Sequence, residues 1–189
     1  MPRWKPDAQQ RLVLSALRLF AERGYDDTTV AQIAEDAGLT RSTFHRHFSD
    51  KRDILAAGQE TLSRLLAAGI AEAPADASPV TAVAGGLARA SAGMTSFNRE
   101  LSPLLRAAVE ANKELQERQA LKSVGMARAM ADALAARGVP AASARVAAEL
   151  GVLAFKIGYE RWSAEASGTL DEHALAALRE LHAAATRLD

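Results

Sequence analysis

Gly38–Asp53 reads GLTRSTFHRHFSDKRD. Two phenylalanines four residues apart, Phe44 and Phe48, stand among Arg41, His45, Arg46 and His47. A core helix excludes the cations, and a solvated helix excludes the rings. A helical wheel resolves the conflict. At about 100° per residue, Phe48 falls about 40° from Phe44, while Ser42, Arg46 and Thr43 fall about 160°, 200° and 260° away. His45 and His47 lie on the flanks. A short helix over Arg41–Phe48 therefore has a dry ridge that pins it to a domain. Its opposite face carries one arginine and two hydroxyls.

The residues upstream give this helix a partner. Thr29-Val30-Ala31-Gln32 is a capping box, in which threonine caps the third amide and glutamine reaches back. Val30, Ile33, Ala34 and Ala37 form the buried stripe of the helix it opens, and Gly38 ends it. Apolar Leu39 follows, and Thr40 is placed to cap the next helix. Before these, a helix is expected from about Pro6 to Arg23, with Val13, Ala16, Leu17, Phe20 and Ala21 as its apolar stripe and Gly24 as its stop. A small residue, Ala34, four before a turn glycine lets two helices cross closely. This is the helix-turn-helix pattern, whose second helix enters the DNA major groove. Arginine reads guanine there, and threonine offers a methyl and a hydroxyl. The flanking histidines and Lys51 are within reach of the phosphate backbone, and the start of the following helix adds free N–H groups.

The run GYDDTTVAQIAEDAGLTRSTFHRHFSDKRDIL closely resembles the DNA-binding segment of the tetracycline-repressor (TetR) family. The matching positions are Gly24-Tyr25, Thr28-Thr29-Val30, Ile33-Ala34, Ala37-Gly38-Leu39-Thr40, His47-Phe48 and Lys51, within about Leu12 to Leu55. Two positions depart from the family pattern: Phe44 replaces an aliphatic residue, and His45 replaces a tyrosine. The resemblance implies DNA-backbone contacts from Thr29, Thr40, His45, His47 and Lys51. It implies base-edge contacts from Arg41, Ser42 and Thr43, with Arg46 as a further candidate. It also implies an all-α fold: a three-helix DNA-binding domain over residues 1–50, then a larger helical ligand-binding and dimerisation domain over 51–189.

Composition agrees. Alanine and leucine abound, aromatics are 5% of residues, and no stretch reads as a period-two strand. There is no cysteine, which excludes disulfides and thiolate metal sites and is compatible with a cytoplasmic protein. Net charge is zero, yet basic residues gather at Arg3, Lys5 and Arg11 and again at Arg41, Arg46, Lys51 and Arg52. No apolar run approaches the roughly 18 residues of a membrane span. No nucleophile elbow, P-loop or zinc-protease signature is present, so no catalytic residue, metal or cofactor is expected.

Beyond Asp50, helices are expected from an Asp50 cap to about Ala73, then over Val80–Asn98, Pro103–Asn112, Lys113–Arg137, Ala141–Ser167 and Glu172–Leu188. Ser102-Pro103 reads as a helix start. The helix from Ala141 has two apolar stripes, Val152/Phe155/Tyr159/Trp162 and Val146/Leu150/Leu153/Ile157, as a helix central to a bundle or shared with a partner would. Gly151 and Gly158 share a face and let another helix approach, within the chain or from a partner. Leu175, Leu178, Leu181 and Leu188 mark the last helix, and the family resemblance implies a homodimer through the last two helices. Small residues over 80–98 leave room for an effector. Met94, Phe97, Met126, Met130, Phe155, Tyr159 and Trp162 are the candidate lining, and each also serves as plain core. The expected function is a regulator, a repressor released from a palindromic operator by a small apolar effector. The alternative is a helical dimeric protein that binds small molecules or is structural, without DNA.

Overall fold

The structure, a computed structural model, describes residues 7–55, 58–165 and 167–187. Arg3, Lys5, Pro6 and Leu188, named above, lie outside them. Every regular element among the described residues is helical: α1 (Ala8–Arg23), α2 (Val30–Asp36), α3 (Arg41–His47), a 3-10 helix (Lys51–Ile54), α4 (Gln59–Ala71), α5 (Pro79–Ala92), α6 (Ser96–Ala111), α7 (Lys113–Ala136), α8 (Ala141–Ala164) and α9 (Leu170–Ala185). They form two compact units. The first runs to Ala57 and includes Leu101–Ala120; the second comprises Gly58–Glu100 and the chain from Leu121 onward.

In the first unit, Asp7 and Gln10 make a capping box that opens α1. The buried stripe of α1 is Leu12, Ala16, Leu17, Leu19 and Phe20. Val13 and Ala21, expected on it, lie outside it, and Ala21 faces solvent. The stripe is rotated toward Leu12 and Leu19 because those leucines offer more apolar area than Val13 and Ala21. α2 begins with the expected capping box: Gln32 N–H donates to Thr29 Oγ1 at 3.3 Å, and Gln32 Oε1 accepts from Thr29 N–H at 2.8 Å. It ends where Gly38 takes φ +64°, with Leu39 N–H donating to the Ala34 carbonyl at 2.8 Å. Only a residue without a Cβ adopts that φ freely. Phe44 is fully buried and Phe48 is 5% exposed, their ring centroids 5.5 Å apart.

Three expected boundaries move. Asp50 caps the short 3-10 helix rather than a long fourth helix, and α4 starts only at Gln59, after Gly58 at φ +75°. The helix expected over Val80–Asn98 ends at Ala92 with Gly93 as its C-cap. The next begins at Ser96, with the Thr95 N–H donating to Asn98 Oδ1 at 2.9 Å. Pro103 therefore lies inside α6 instead of opening it. Proline removes one hydrogen bond, to the carbonyl four residues back. Here that is one bond of a longer ladder, and the Gly93–Thr95 stretch has already made the break.

In the second unit, glycines fix how closely helices cross. A Cβ on Gly86 would lie 2.7 Å from the Leu66 carbonyl, and one on Gly85 would lie 3.0 Å from that of Gly69. The room left by small residues in α5 is thus filled by the backbone of α4, not held open for a ligand. A Cβ on Gly151 would meet Val83 Cγ1 at 2.7 Å and Met130 Sδ at 3.0 Å, and one on Gly158 would meet Ala174 Cα at 2.5 Å. Both glycines admit neighbours from their own chain, α5 and α7 for Gly151 and α9 for Gly158. Of the two alternatives left open for this pair, approach within the chain is the one found. Leu178 is likewise buried within its own chain, and Leu175 and Leu181 pack on the same core.

Candidate nucleic-acid interface

The buried Phe44/Phe48 ridge leaves the rest of α3 turned outward. Arg41, Ser42, His45, Arg46 and His47 are exposed, and Thr43 is partly so. A ladder of hydroxyls runs along this face. Thr40 Oγ1 accepts from the Thr43 N–H at 3.1 Å and shares a hydrogen bond with Thr43 Oγ1 at 3.0 Å. Arg46 Nη2 lies 3.4 Å from Thr43 Oγ1. Among the described residues, neither Arg41 nor Arg46 has a carboxylate partner within ion-pair distance. Their charge is available to an external anion. Thr29 sits at the start of α2, with its hydroxyl 2.9 Å from Gln32 Oε1.

Among the described residues, the other cations of these basic clusters are engaged within the chain. Lys51 Nζ donates to the carbonyls of Tyr25 at 2.6 Å and Thr28 at 2.9 Å, and lies 4.2 Å from the Tyr25 ring centroid. Arg52 pairs with Asp50 at 2.8 Å and reaches Glu114 at 3.9 Å. Burial alone would raise the Asp50 pKa, but hydrogen bonds from Arg52 and from the Lys51 backbone outweigh it and hold the carboxyl below its ordinary range. Arg11 donates to the Ala37 carbonyl and Arg18 pairs with Asp36. Counting charges along the chain could not separate bracing cations from free ones, because the carbonyls that bind them lie up to 27 residues away in sequence.

Thr28 is a residue that sequence reasoning left without a role. Its side chain is 1% exposed, and its hydroxyl donates to the Gly24 carbonyl at 2.7 Å. It thereby ties the end of α1 to the start of α2. The Tyr25 hydroxyl is buried without a hydrogen-bond partner. Burial, reinforced by the charges of Glu114 and Asp50, pushes its pKa up to about 12.

The candidate effector residues fall into two groups in the second unit. Met126 is 4% exposed and Met130 fully buried, and they form a row on the inner side of α7. Phe155, Tyr159 and Trp162 form an aromatic ladder on α8, with centroids 6.1 and 5.7 Å apart. The Tyr159 hydroxyl donates to the Asn98 carbonyl at 2.6 Å, and the Arg99 guanidinium lies 5.3 Å from the Trp162 centroid. Phe97 is adjacent in sequence to those two contacts and is partly buried, and Met94 packs on the same core. Asn98 and Arg99 were not singled out from sequence; a polar pair beside a glycine-broken helix carries no signal of its own. The second apolar stripe of α8 lies at the edge of this core: Leu150 and Ile157 pack against it, while Val146 and Leu153 turn outward. Val146 is 60% and Leu153 44% exposed, with Leu150 and Ile157 partly exposed between them.

This arrangement of α1, α2 and α3 defines a helix-turn-helix protein, with the charged face of α3 as its outward surface. Residues 12–57 match the model of the bacterial regulatory proteins of the tetR family. TcmR of Streptomyces glaucescens, an HTH-type transcriptional regulator, is 34% identical over 77 residues, which cover 41% of this chain and 34% of that protein. The matched stretch thus spans about a third of TcmR. Two solved structures share the fold over most of their length. The SmeT–triclosan complex has a TM-score of 0.59 at 20% identity, covering 95% of this chain and 91% of that one. FadR of Bacillus subtilis in complex with stearoyl-CoA has a TM-score of 0.57 at 18% identity, covering 89% and 95%. The tetR-family match is confined to residues 12–57, and the likeness to these solved structures over the rest of the chain is one of fold. No helix among the described residues is long and apolar enough to cross a membrane.

Proposed function

We propose that the chain is a one-component transcriptional regulator of the cytoplasm, a homodimer that represses by occupying a near-palindromic operator. The observation that carries this reading is the outward face of α3. Arg41, Ser42 and Arg46 stand exposed there, the arginines without a carboxylate partner among the described residues, opposite a ridge of buried rings. Arg41, Ser42, Thr43 and Arg46 meet base edges, and Thr29, Thr40, His45 and His47 meet the phosphate backbone. In a dimer the two α3 helices enter successive major grooves about 34–36 Å apart. Residues 1–50 act as the reading head and 51–189 as the effector-binding and dimerising part. The exposed Val146 and Leu153, flanking the partly buried Leu150 and Ile157 on one stripe, support a homodimer built on α8 with α9, since these two side chains are otherwise left to water.

The effector we propose is a small, largely apolar molecule bound near Met94, Phe97, Met126, Met130, Phe155, Tyr159 and Trp162. The triclosan of SmeT and the stearoyl-CoA of FadR give this reading support by analogy. Such a ligand releases the operator only through a higher affinity for the conformer whose reading heads are misaligned. The test is selection from a random duplex library at a stated salt concentration. The reading requires enrichment of an inverted repeat with fixed half-site spacing. No enrichment even at low salt would remove it.

A further inference from the structure

In the reading head, cations that α2 does not itself carry hold the loop leading into it and the cap that ends it. In that loop, Lys51 Nζ grips the carbonyls of Tyr25 (2.6 Å) and Thr28 (2.9 Å), with that of Asp26 at 3.4 Å. The Tyr25 ring, 4.2 Å away, covers another side of the ammonium. An ammonium has three N–H donors. Three carbonyls and a ring leave none for a phosphate. At the other end, the Arg11 guanidinium donates to the Ala37 carbonyl and lies 3.4 Å from that of Gly38. It sits so close to the turn that a Cβ on Gly38 would meet it at 2.9 Å. A cation there also complements the negative end of α2. The Arg18–Asp36 pair adds a third tie from α1 to the same helix. Only the short stretch Ala37–Thr40 separates α2 from α3, so whatever orients α2 orients the reading helix.

We propose that Lys51 and Arg11 are positioning residues for operator recognition: they aim α3 by gripping the loop that enters α2 and the cap that ends it, and they touch no phosphate. The proposal rests on the DNA-binding reading above. It replaces the backbone contact that family resemblance assigns to Lys51. Misaimed reading helices lose base contacts, which need geometry, before they lose the general attraction to phosphate, which does not.

The test uses the full chain and the operator recovered by selection. Affinity for that operator and for an unrelated duplex is measured at several salt concentrations, at a temperature where melting shows each variant folded. Lys51→Met and Arg11→Met are expected to weaken operator binding about tenfold. The slope of log affinity against log salt and the affinity for unrelated DNA stay at wild-type values, and Lys51→Arg restores most of the loss. A slope that falls by about 0.9 in Lys51→Met, with unrelated DNA also bound more weakly, would mean a phosphate contact and overturn the proposal. Full operator affinity in the folded variants would reduce both residues to fold stabilisers and overturn it equally.

A wild-type measurement covers variants that fail to fold: acylation of Lys51 by acetic anhydride, read by mass spectrometry. Slow labelling both free and operator-bound is expected. Rapid labelling that only operator suppresses contradicts the grip. A wild-type chain that enriches no duplex sinks the DNA-binding reading instead, while labelling of the free chain still reports on the Lys51 cradle.

Discussion

Gly158→Ala adds one methyl group, and the structure says where that methyl goes. Its carbon would lie 2.5 Å from Ala174 Cα, 2.6 Å from Ala174 N and 2.8 Å from Ala174 Cβ. The obstacles are mainly backbone atoms of α9, which cannot rotate away. Ordinary contact needs about 3.4 Å or more, so α8 and α9 must part by about 1 Å at the crossing. A gap of that size forfeits a quarter to a half of each dispersion well along the interface. Overpacking of this kind costs about 1–3 kcal/mol, and a rigid wall puts Gly158 near the top of the range. Replacing a mid-helix glycine by alanine returns about 1 kcal/mol of helix propensity. The net loss is about 2 kcal/mol, or about 4–8 °C in Tm for a chain of this size.

Gly125→Ala is the matched control. It gains the same propensity on α7, but its methyl meets only the terminal amide of Gln59, at 2.8 Å, which can swing aside. Thermal unfolding by circular dichroism at one protein concentration should place Gly125→Ala at or above wild type and Gly158→Ala clearly below. Equal melting temperatures for Gly158→Ala and wild type would refute the claim that Gly158 is an intrachain contact. Repeating the melts over a hundredfold range of concentration separates this from a dimer effect, because an intrachain defect lowers Tm equally at every concentration whereas a weakened dimer changes how Tm depends on concentration.

Other outcomes follow from the same geometry. Arg46→Ala should leave the melting curve unchanged, because the side chain is exposed, and should weaken operator binding by about 1–3 kcal/mol with relaxed preference at one base pair; unchanged selection of sequences would remove Arg46 from the base contacts. Leu153→Glu, at an exposed apolar position, should leave the helical spectrum intact but yield monomers by sedimentation and weaken operator binding, whereas persistent dimers would move the interface off α8. Tyr25→Phe should be neutral or stabilising at pH 7, since it removes a buried hydroxyl that has no partner. The raised Tyr25 pKa means the folded chain favours the protonated phenol. That stability is complete below the unfolded value near 10 and is lost as pH rises toward about 12. Urea titrations should show the alkaline decline in wild type and a smaller one in Tyr25→Phe; identical declines would place the titrating group elsewhere.

The reading head was legible in the sequence because its determinants are local. The capping box at Thr29, the turn at Gly38 and the Phe44/Phe48 spacing each act within one or two helical turns, and all three stand in the structure as expected. The two stripes of α8 were legible for the same reason, since helical periodicity separates an inner face from an outer one. What each stripe and each cation meets was not legible. Lys51 and Arg11 have charges that suit either a phosphate or a carbonyl, and the carbonyls they hold lie 23 to 27 residues away. Gly151 and Gly158 announce a close approach without naming what approaches. Pro103 and Asp50 carry strong local signals for starting a helix, and an upstream break and a 3-10 turn superseded them. The sequence by itself determined an all-helical chain and a reading helix with rings on one side and donors on the other, because those properties belong to single helices. Only the tertiary structure decided which cations brace the fold and which remain free, and which glycines lie against helices of their own chain, because those properties depend on atoms distant in sequence and close in space.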